Sequence, residues 1–310
     1  RTLAMIHVYT HDSCLQHDPG TSHPESPGRL HSIIDALSLP AIHAQLHWQQ
    51  AQEATPEQVL LAHTREHYDT VVALAPAQGR RALDPDTVMS PASLQAALCA
   101  VGAACQGVDA LLTGSAQEVF CLTRPPGHHA TPDRAMGFCL FNQVAVAALH
   151  ARHTHGLERV AVVDFDVHHG NGTQDCLEGK AGLLYVSTHQ SPYYPGTGTM
   201  ADNREGNLFN LPLGQGCDDA RYRDLFTREV LPVLDAFAPQ LVLVSAGFDA
   251  HRDDPLAGLR LETATYAWLG EQLRALARRH AEGRLLSVLE GGYNLSVLGS
   301  CVAAYLTGTS

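Results

Sequence analysis

Seven largely apolar runs of strand length, none strictly alternating, constrain this chain more than any other feature. They fall at Leu3–Tyr9, Val119–Leu122, Val160–Asp166, Leu183–Thr188, Asn207–Leu213, Leu241–Ala246 and Leu285–Leu289. A strand with one wet face alternates apolar and polar residues, whereas an unbroken run needs cover on both faces, as in a parallel sheet. Stretches with 3.6-residue periodicity lie between the runs, clearest at Pro91–Leu112, Asn142–His153, Asp219–Ala236 and Glu262–Ala281. Ser90 before Pro91 reads as the start of the first, and Gly114 as its stop. Alternating strands and helices predict an α/β fold, a single doubly wound domain over residues 1–310. The segment Gln190–Gly206 lacks periodicity and is rich in Pro, Gly and Thr, so it reads as a long functional loop.

Composition narrows the function. With 45% apolar and 17% charged residues, the chain is not disordered in its main state. No run approaches the roughly 18 apolar residues of a membrane span. The segment Arg1–Thr10 reads as too short and polar for a signal peptide, and the missing initial methionine suggests that a few leading residues were trimmed. Twenty basic against 32 acidic residues leave a net charge of −12, which argues against nucleic acid or anionic membrane as partner; if the substrate is charged, a cation suits it better. Eight cysteines without a CxxC pair read as isolated buried thiols in a reducing cytoplasm. The 19 histidines point to metal or proton chemistry if their placement allows it.

In open α/β sheets, ligands bind beyond the carboxyl ends of the strands. Four apolar runs are followed there by chemically capable residues: Arg124-Pro-Pro-Gly-His128-His129, Asp164-Phe-Asp166-Val-His168-His169-Gly-Asn171-Gly172, Ser245-Ala-Gly-Phe-Asp249 and Glu290-Gly-Gly-Tyr293. The i, i+2 spacing of Asp164, Asp166 and His168 places them on one face of an extended segment. Asp166 and His168, joined by Asp249, form a two-carboxylate, one-imidazole set suited to Zn²⁺ with an open position. Taken singly, each motif could be a loop cap or a satisfied core histidine. Four together at strand ends favour a site.

This ordered set resembles the zinc-dependent histone deacetylase family, which includes bacterial amidohydrolases and acetylpolyamine deacetylases. The resemblance runs from His23-Pro-Glu-Ser-Pro-Gly-Arg29 through Gly137-Phe-Cys139 and Pro195-Gly-Thr-Gly198 to Tyr293. It implies the arginase/deacetylase fold with a central eight-stranded parallel sheet. It also implies one zinc per chain on Asp166, His168 and Asp249, and His128 and His129 as the tandem histidines beside the reacting water. His129 is then the acid/base, and Tyr293 the oxyanion donor. Asp164 would orient His128 and Asn171 would orient His129, the asparagine placing the chain on the class II side. A structural K⁺ is implied at Asp164, Ser187 and Thr188, with main-chain oxygens of Asp166 and His168. Gly137, Phe138 and Tyr194 would line the channel for an acetyl-lysine stem, and Arg29 matches an arginine near the acetate exit.

The substrate expectation is an N-acetylated lysine-type amide. Leu256, seven residues after Asp249, is apolar where polyamine-selective relatives carry Glu, which disfavours an acetylpolyamine. An inactive acetyl-lysine binding module should have lost Tyr293 or a tandem histidine, and this chain keeps all three. An arginase-like pair of manganese ions would need further Asp residues where His168-His169-Gly170 stands. His150, His153 and His155 read as a solvated helix end, and the Arg274–Arg284 run as an exposed helix end. His7, His11, His17 and His23 are too scattered for a metal. Thr87 lies near where relatives hold the substrate backbone, and His251 near the rim of the site.

Overall fold

The computed structural model describes residues 6–309. Ten strands occur in chain order: β1 Ile6–Thr10, β2 Leu46–Gln50, β3 Arg81–Ala82, β4 Val88–Met89, β5 Glu118–Cys121, β6 Val160–Asp164, β7 Leu183–Gln190, β8 Leu208–Leu213, β9 Leu241–Ala246 and β10 Leu285–Leu289. Eight form one sheet in the order β2-β1-β5-β10-β9-β6-β7-β8, every pairing parallel, and β3 and β4 form a small antiparallel hairpin. The seven expected runs are all strands of the large sheet, with the start of the first lying outside the described residues. The eighth, β2, is an edge strand whose polar sequence His47-Trp48-Gln49-Gln50 carries no apolar run.

Both faces of the sheet are covered, as the unbroken runs require. In β6 and β9, Ala161, Val163, Val242 and Val244 pack into one core with Leu30, Ile33, Leu273 and Val302. Their neighbours Val160, Val162, Leu241 and Leu243 pack into a second core with Val101, Val108, Val144 and Ala148. The period-2 alternation divides each strand between the two layers.

Helix boundaries shift in explicable ways. The first expected helix is Ser93–Leu112; Ser90 and Pro91 form the turn before it, where the Ser93 hydroxyl accepts the Ser90 amide N–H at 2.7 Å. It does end where expected, with Gly114 at φ 78° just beyond Thr113. This helix has the length and mean hydropathy of a membrane span although Gln95, Gln106 and Asp109 interrupt its apolar run, and its window is 72% buried within the protein. It is a core helix. The helix Gln143–His155 is capped by the Asn142 side chain, which accepts the Ala145 N–H at 3.0 Å. The expected helix Asp219–Ala236 is instead two α segments, Asp219–Leu225 and Leu231–Phe237, joined by a π turn over Phe226–Val230 that precedes Pro232. Proline removes an intrahelical donor, and the wider turn absorbs the loss. The helices Gly28–Leu37 and Leu295–Thr307 pack together against the sheet.

The strand β6 ends at Asp164, not Asp166, and the chain bends immediately. The expected extended face of Asp164, Asp166 and His168 therefore does not exist as such; the Asp164 carboxylate accepts the Asp166 N–H at 3.1 Å and holds the bend. Between the two aspartates, Phe165 points into the opposite layer, with its ring 5.8, 6.1 and 5.5 Å from those of Phe248, Tyr266 and Tyr305. Phe165→Ala should lower the unfolding free energy by about 3–5 kcal/mol, the cost of an aromatic core cavity, read from the shift in urea midpoint at unchanged slope.

Candidate active site

The four strands that carry the chemical motifs, β5, β10, β9 and β6, are neighbours at the centre of the sheet. Their carboxyl ends deliver His128–His129, Glu290–Tyr293, Asp249 and Asp164–His168 to one place. A cavity of about 200 Å³ lies there, lined by His128, His129, Gly137, Phe138, His168, Tyr193, Tyr194, Leu256, Gly291, Tyr293, Asp86 and Pro126. A larger groove, about 660 Å³, runs along β8 between Phe209 and Phe237 and shares no residue with it. That groove carries no histidine, so the smaller cavity holds the chemistry.

At the floor, ligand-capable atoms of Asp166, His168 and Asp249 lie within 4.8 Å of one another. His168 Nδ1 is 3.0 Å from Asp166 Oδ1 and 3.2 Å from Asp249 Oδ2. Apart from that 3.2 Å approach of His168, Asp249 Oδ2 is buried without a hydrogen-bond partner. Burial alone would lower the His168 pKa, but the two carboxylates outweigh it and push it up to about 10. The same negative potential favours a cation among these three side chains. Gly291 is required beside them, since a Cβ there would meet Asp249 Oδ2 at 2.1 Å and Asp166 Oδ2 at 2.6 Å. The residues fit a divalent metal by donor type and by this unsatisfied oxygen.

The tandem histidines are held differently. His128 Nδ1 lies 2.9 Å from Asp164 Oδ2, and His129 Nδ1 lies 2.8 Å from Asn171 Oδ1, as expected. Burial opposes charge on both. For His128 that is overcome by Asp164, Asp166 and Glu290, which hold its pKa well above the usual imidazole value. For His129, burial is reinforced by His128 and His168, and its pKa falls well below it. These surroundings favour the charged form of His128 and the neutral form of His129. Nδ1–H of His129 donates to the Asn171 oxygen, which leaves Nε2 as the free acceptor.

The walls are aromatic. Tyr194 meets His129 edge-on at 5.2 Å, and Phe138 meets Tyr293 at 5.9 Å. Gly137, at φ 56°, makes room for the His129 ring, which a Cβ would meet at 2.5 Å. Leu256 is among the residues that line the cavity. Its amide donates to Asp254 Oδ1 at 2.9 Å, while Asp254 Oδ2 accepts the Tyr293 N–H at 2.8 Å. Asp254 thus ties the gate to the oxyanion candidate; burial and nearby Asp249 raise its pKa to about 7. Burial raises the Tyr293 pKa well above 10, so its phenol is a donor.

Several residues here were not foreseen. Tyr193, beside Tyr194, stacks on His168 with centroids 5.6 Å apart. Asp86 reaches the cavity from the turn Asp84–Thr87, whose acidic Asp-Pro-Asp sequence was its only signal. Thr87 sits one step back, accepting the Phe138 N–H at 3.1 Å. Glu290 accepts the N–H groups of Gly127 and His128 at 2.8 and 3.1 Å. His251 does not reach the rim: it is buried, and its Nδ1 accepts the Asp253 N–H at 3.2 Å. Ser187 pairs with Asp164 across β6 and β7, and its hydroxyl bonds His189 Nδ1 at 2.8 Å. The Thr188 hydroxyl turns to the other face, 2.8 Å from the Tyr222 hydroxyl.

Behind the site lies a buried ion cluster. Arg29 and Arg124, both fully buried, reach the same Glu25 oxygen at 2.9 and 2.6 Å. Arg29 also donates to the carbonyls of Gly292 and Glu290 at 2.6 and 2.5 Å, and its guanidinium lies 4.9 Å from the Tyr293 ring centre. Arg29 thus makes a buried salt bridge and braces the loop that carries Tyr293.

Carboxylates, paired imidazoles and a phenol converge at the carboxyl edge of a parallel α/β sheet, a donor set suited to hydrolysis. The chain belongs to the histone deacetylase family: the histone deacetylase domain matches residues 23–309. It is 39% identical to "Histone deacetylase 14, chloroplastic" of Arabidopsis thaliana over 316 aligned residues, covering 96% of this chain and 74% of that protein. It is 40% identical to the "Histone deacetylase-like amidohydrolase" of Pseudomonas aeruginosa, covering 91% and 75%. The crystal structure of the HDA15 HD domain superposes with a TM-score of 0.91 at 35% identity, covering 98% of this chain and 87% of that one. The eight-stranded parallel fold and the hydrolase character are those of the family.

Burial works against charge on Glu25, but Arg124, His17 and Arg29 outweigh it and hold its pKa well below the carboxylate range. A depressed folded-state pKa means that its stabilisation is present above the ordinary carboxylate pKa and is lost as pH falls through the folded value. Glu25→Gln leaves two buried arginines without their shared anion and should cost about 3–5 kcal/mol in denaturant unfolding at neutral pH.

Proposed function

We propose that this chain is a zinc-dependent deacetylase that hydrolyses N-acetylated lysine-type amides to free amine and acetate. The observation that carries the reading is the buried, unsatisfied Asp249 Oδ2 facing Asp166 and His168 on the floor of an aromatic-walled cavity. Zinc bound by these three residues would supply Lewis acidity toward the amide carbonyl and increase the acidity of a water molecule.

The chain's own residues divide the remaining work. Water adds its oxygen to the acyl carbon, the C–N bond breaks, and the water proton ends on the leaving amine. Neutral His129 takes that proton at Nε2 and returns it to the nitrogen. Its partner is an amide, Asn171, which supports a positive ring less than a carboxylate would, so the proton is released readily. Cationic His128, locked by Asp164, stabilises negative charge without changing protonation. The Tyr293 phenol donates to the oxyanion. Phe138 and Tyr194 clasp the aliphatic stem and exclude water.

The apolar Leu256 at the mouth supports acetyl-lysine over acetylpolyamine. Asp86 at the same cavity favours the second reading, since its carboxylate could meet an inner ammonium. A structural K⁺ fits Asp164 and the paired Ser187 hydroxyl; Thr188, whose hydroxyl faces Tyr222, would contribute only its main-chain oxygen. Eight buried, unpaired thiols suit a reducing compartment such as the cytoplasm.

A substrate panel tests the reading. Chelator-treated protein should be inactive and one equivalent of zinc should restore acetate release, faster from an acetyl-lysine peptide than from N-acetylspermidine. Restoration by other ions but not zinc would refute the metal assignment, and a preference for the polyamine would shift the substrate to the second reading. Tyr293→Phe should retain zinc yet lower kcat by roughly 10²–10³, the usual loss on removing one oxyanion donor, in single-turnover measurements.

A further inference from the structure

We infer a second transition-metal site, formed by Asp109, His150 and His155 at the edge of the sheet opposite the cavity. The helices Ser93–Leu112 and Gln143–His155 pack side by side, and each leads into the amino end of a strand, β5 or β6. Their carboxyl termini therefore lie under the sheet, away from the cavity at the strands' other ends. Asp109 comes from the last turn of the first helix, and His150 and His155 from the end of the second.

Several features make this more than a solvated helix end. Nε2 of both imidazoles converges on one oxygen, Asp109 Oδ1, at 2.7 and 2.6 Å. Ligand-capable atoms of all three lie within 4.8 Å of one another. His150 is only 5% exposed, and its other ring nitrogen lies 3.2 Å from the Thr154 hydroxyl, so the ring is oriented from both sides. Among the described residues, no Lys or Arg pairs with Asp109, whose salt-bridge partners are these two imidazoles. Two helix carboxyl termini add partial negative charge.

Two imidazoles and one carboxylate are a borderline donor set that suits Zn²⁺, Co²⁺, Ni²⁺ or Cu²⁺ rather than Mg²⁺ or Ca²⁺. The Asp109 side chain is 47% exposed, which leaves room for water to complete the shell. Bound there, the ion would staple the two helices that lead into the catalytic strands. Its role is structural, since it shares no residue with the cavity.

Zinc uptake by the whole protein tests this. Titration with Zn²⁺ against a chromophoric competitor should give one more equivalent in wild type than in His155→Ala or Asp109→Asn. The difference of one holds whatever the catalytic trio binds, so failure here is distinguishable from failure of the zinc-deacetylase reading. His153→Ala, at the exposed neighbour, should keep the wild-type count. Excess Zn²⁺ should raise Tm by a few degrees in wild type more than in His155→Ala, because a ligand that binds only the folded state stabilises it. Equal zinc counts in wild type and both variants would overturn the site, as would an equal count lost in His153→Ala.

Discussion

Burial of negative charge at the centre of one sheet edge is the constraint on which the rest of this structure depends. Asp164, Asp166, Asp249 and Glu290 are all at most 1% exposed, and Glu25 lies behind them. Each ionised carboxylate out of water costs several kcal/mol unless cations and donors surround it. The fold supplies them in layers: Arg29 and Arg124 on Glu25, His128 on Asp164, backbone N–H groups on Glu290, and His168 between Asp166 and Asp249. The remaining negative potential is what a divalent ion would answer.

That arrangement also separates two chemically identical neighbours. His128 and His129 are adjacent in sequence, with ring centres 4.1 Å apart, yet one faces three carboxylates and the other faces an amide and two imidazoles. Burial disfavours charge on both rings, and their partners then shift the two in opposite directions. Loops then finish the site: Asp254 links Leu256 to Tyr293, and Arg29 links the Tyr293 loop to the buried cluster. Substitutions at these braces should act by displacing Tyr293 and not by removing a reacting group.

The opposite edge of the sheet repeats the theme in weaker form. Asp109, His150 and His155 bring a carboxylate and two imidazoles together, but the carboxylate is about half exposed, so water offsets much of its cost. A site there would bind less tightly than the buried one. It would bear on helix packing and not on turnover.

How much of this was legible beforehand follows from the range of each interaction. Unbroken runs such as Val160–Val163 and Leu241–Val244 dictated strands covered on two faces, because apolar side chains pointing both ways must both be buried. The motifs after those runs, Asp164–Asn171 and Gly127–His129, named the donors, because chemistry depends on residue type. The polar edge strand β2 stayed hidden, as did the bend that ends β6 at Asp164, since hydrogen bonding by a polar edge and a carboxylate capping its own turn leave no periodic trace. Asp86 and Tyr193 reached the cavity, and Asp254 the amides of Leu256 and Tyr293, only through loop geometry. His150 and His155 looked like a wet helix end because their partner lies 41 and 46 residues away. Local pattern determined the elements and the reactive residue types; only tertiary packing decided which carboxylates share a cation, which histidine stays neutral and which distant side chains meet.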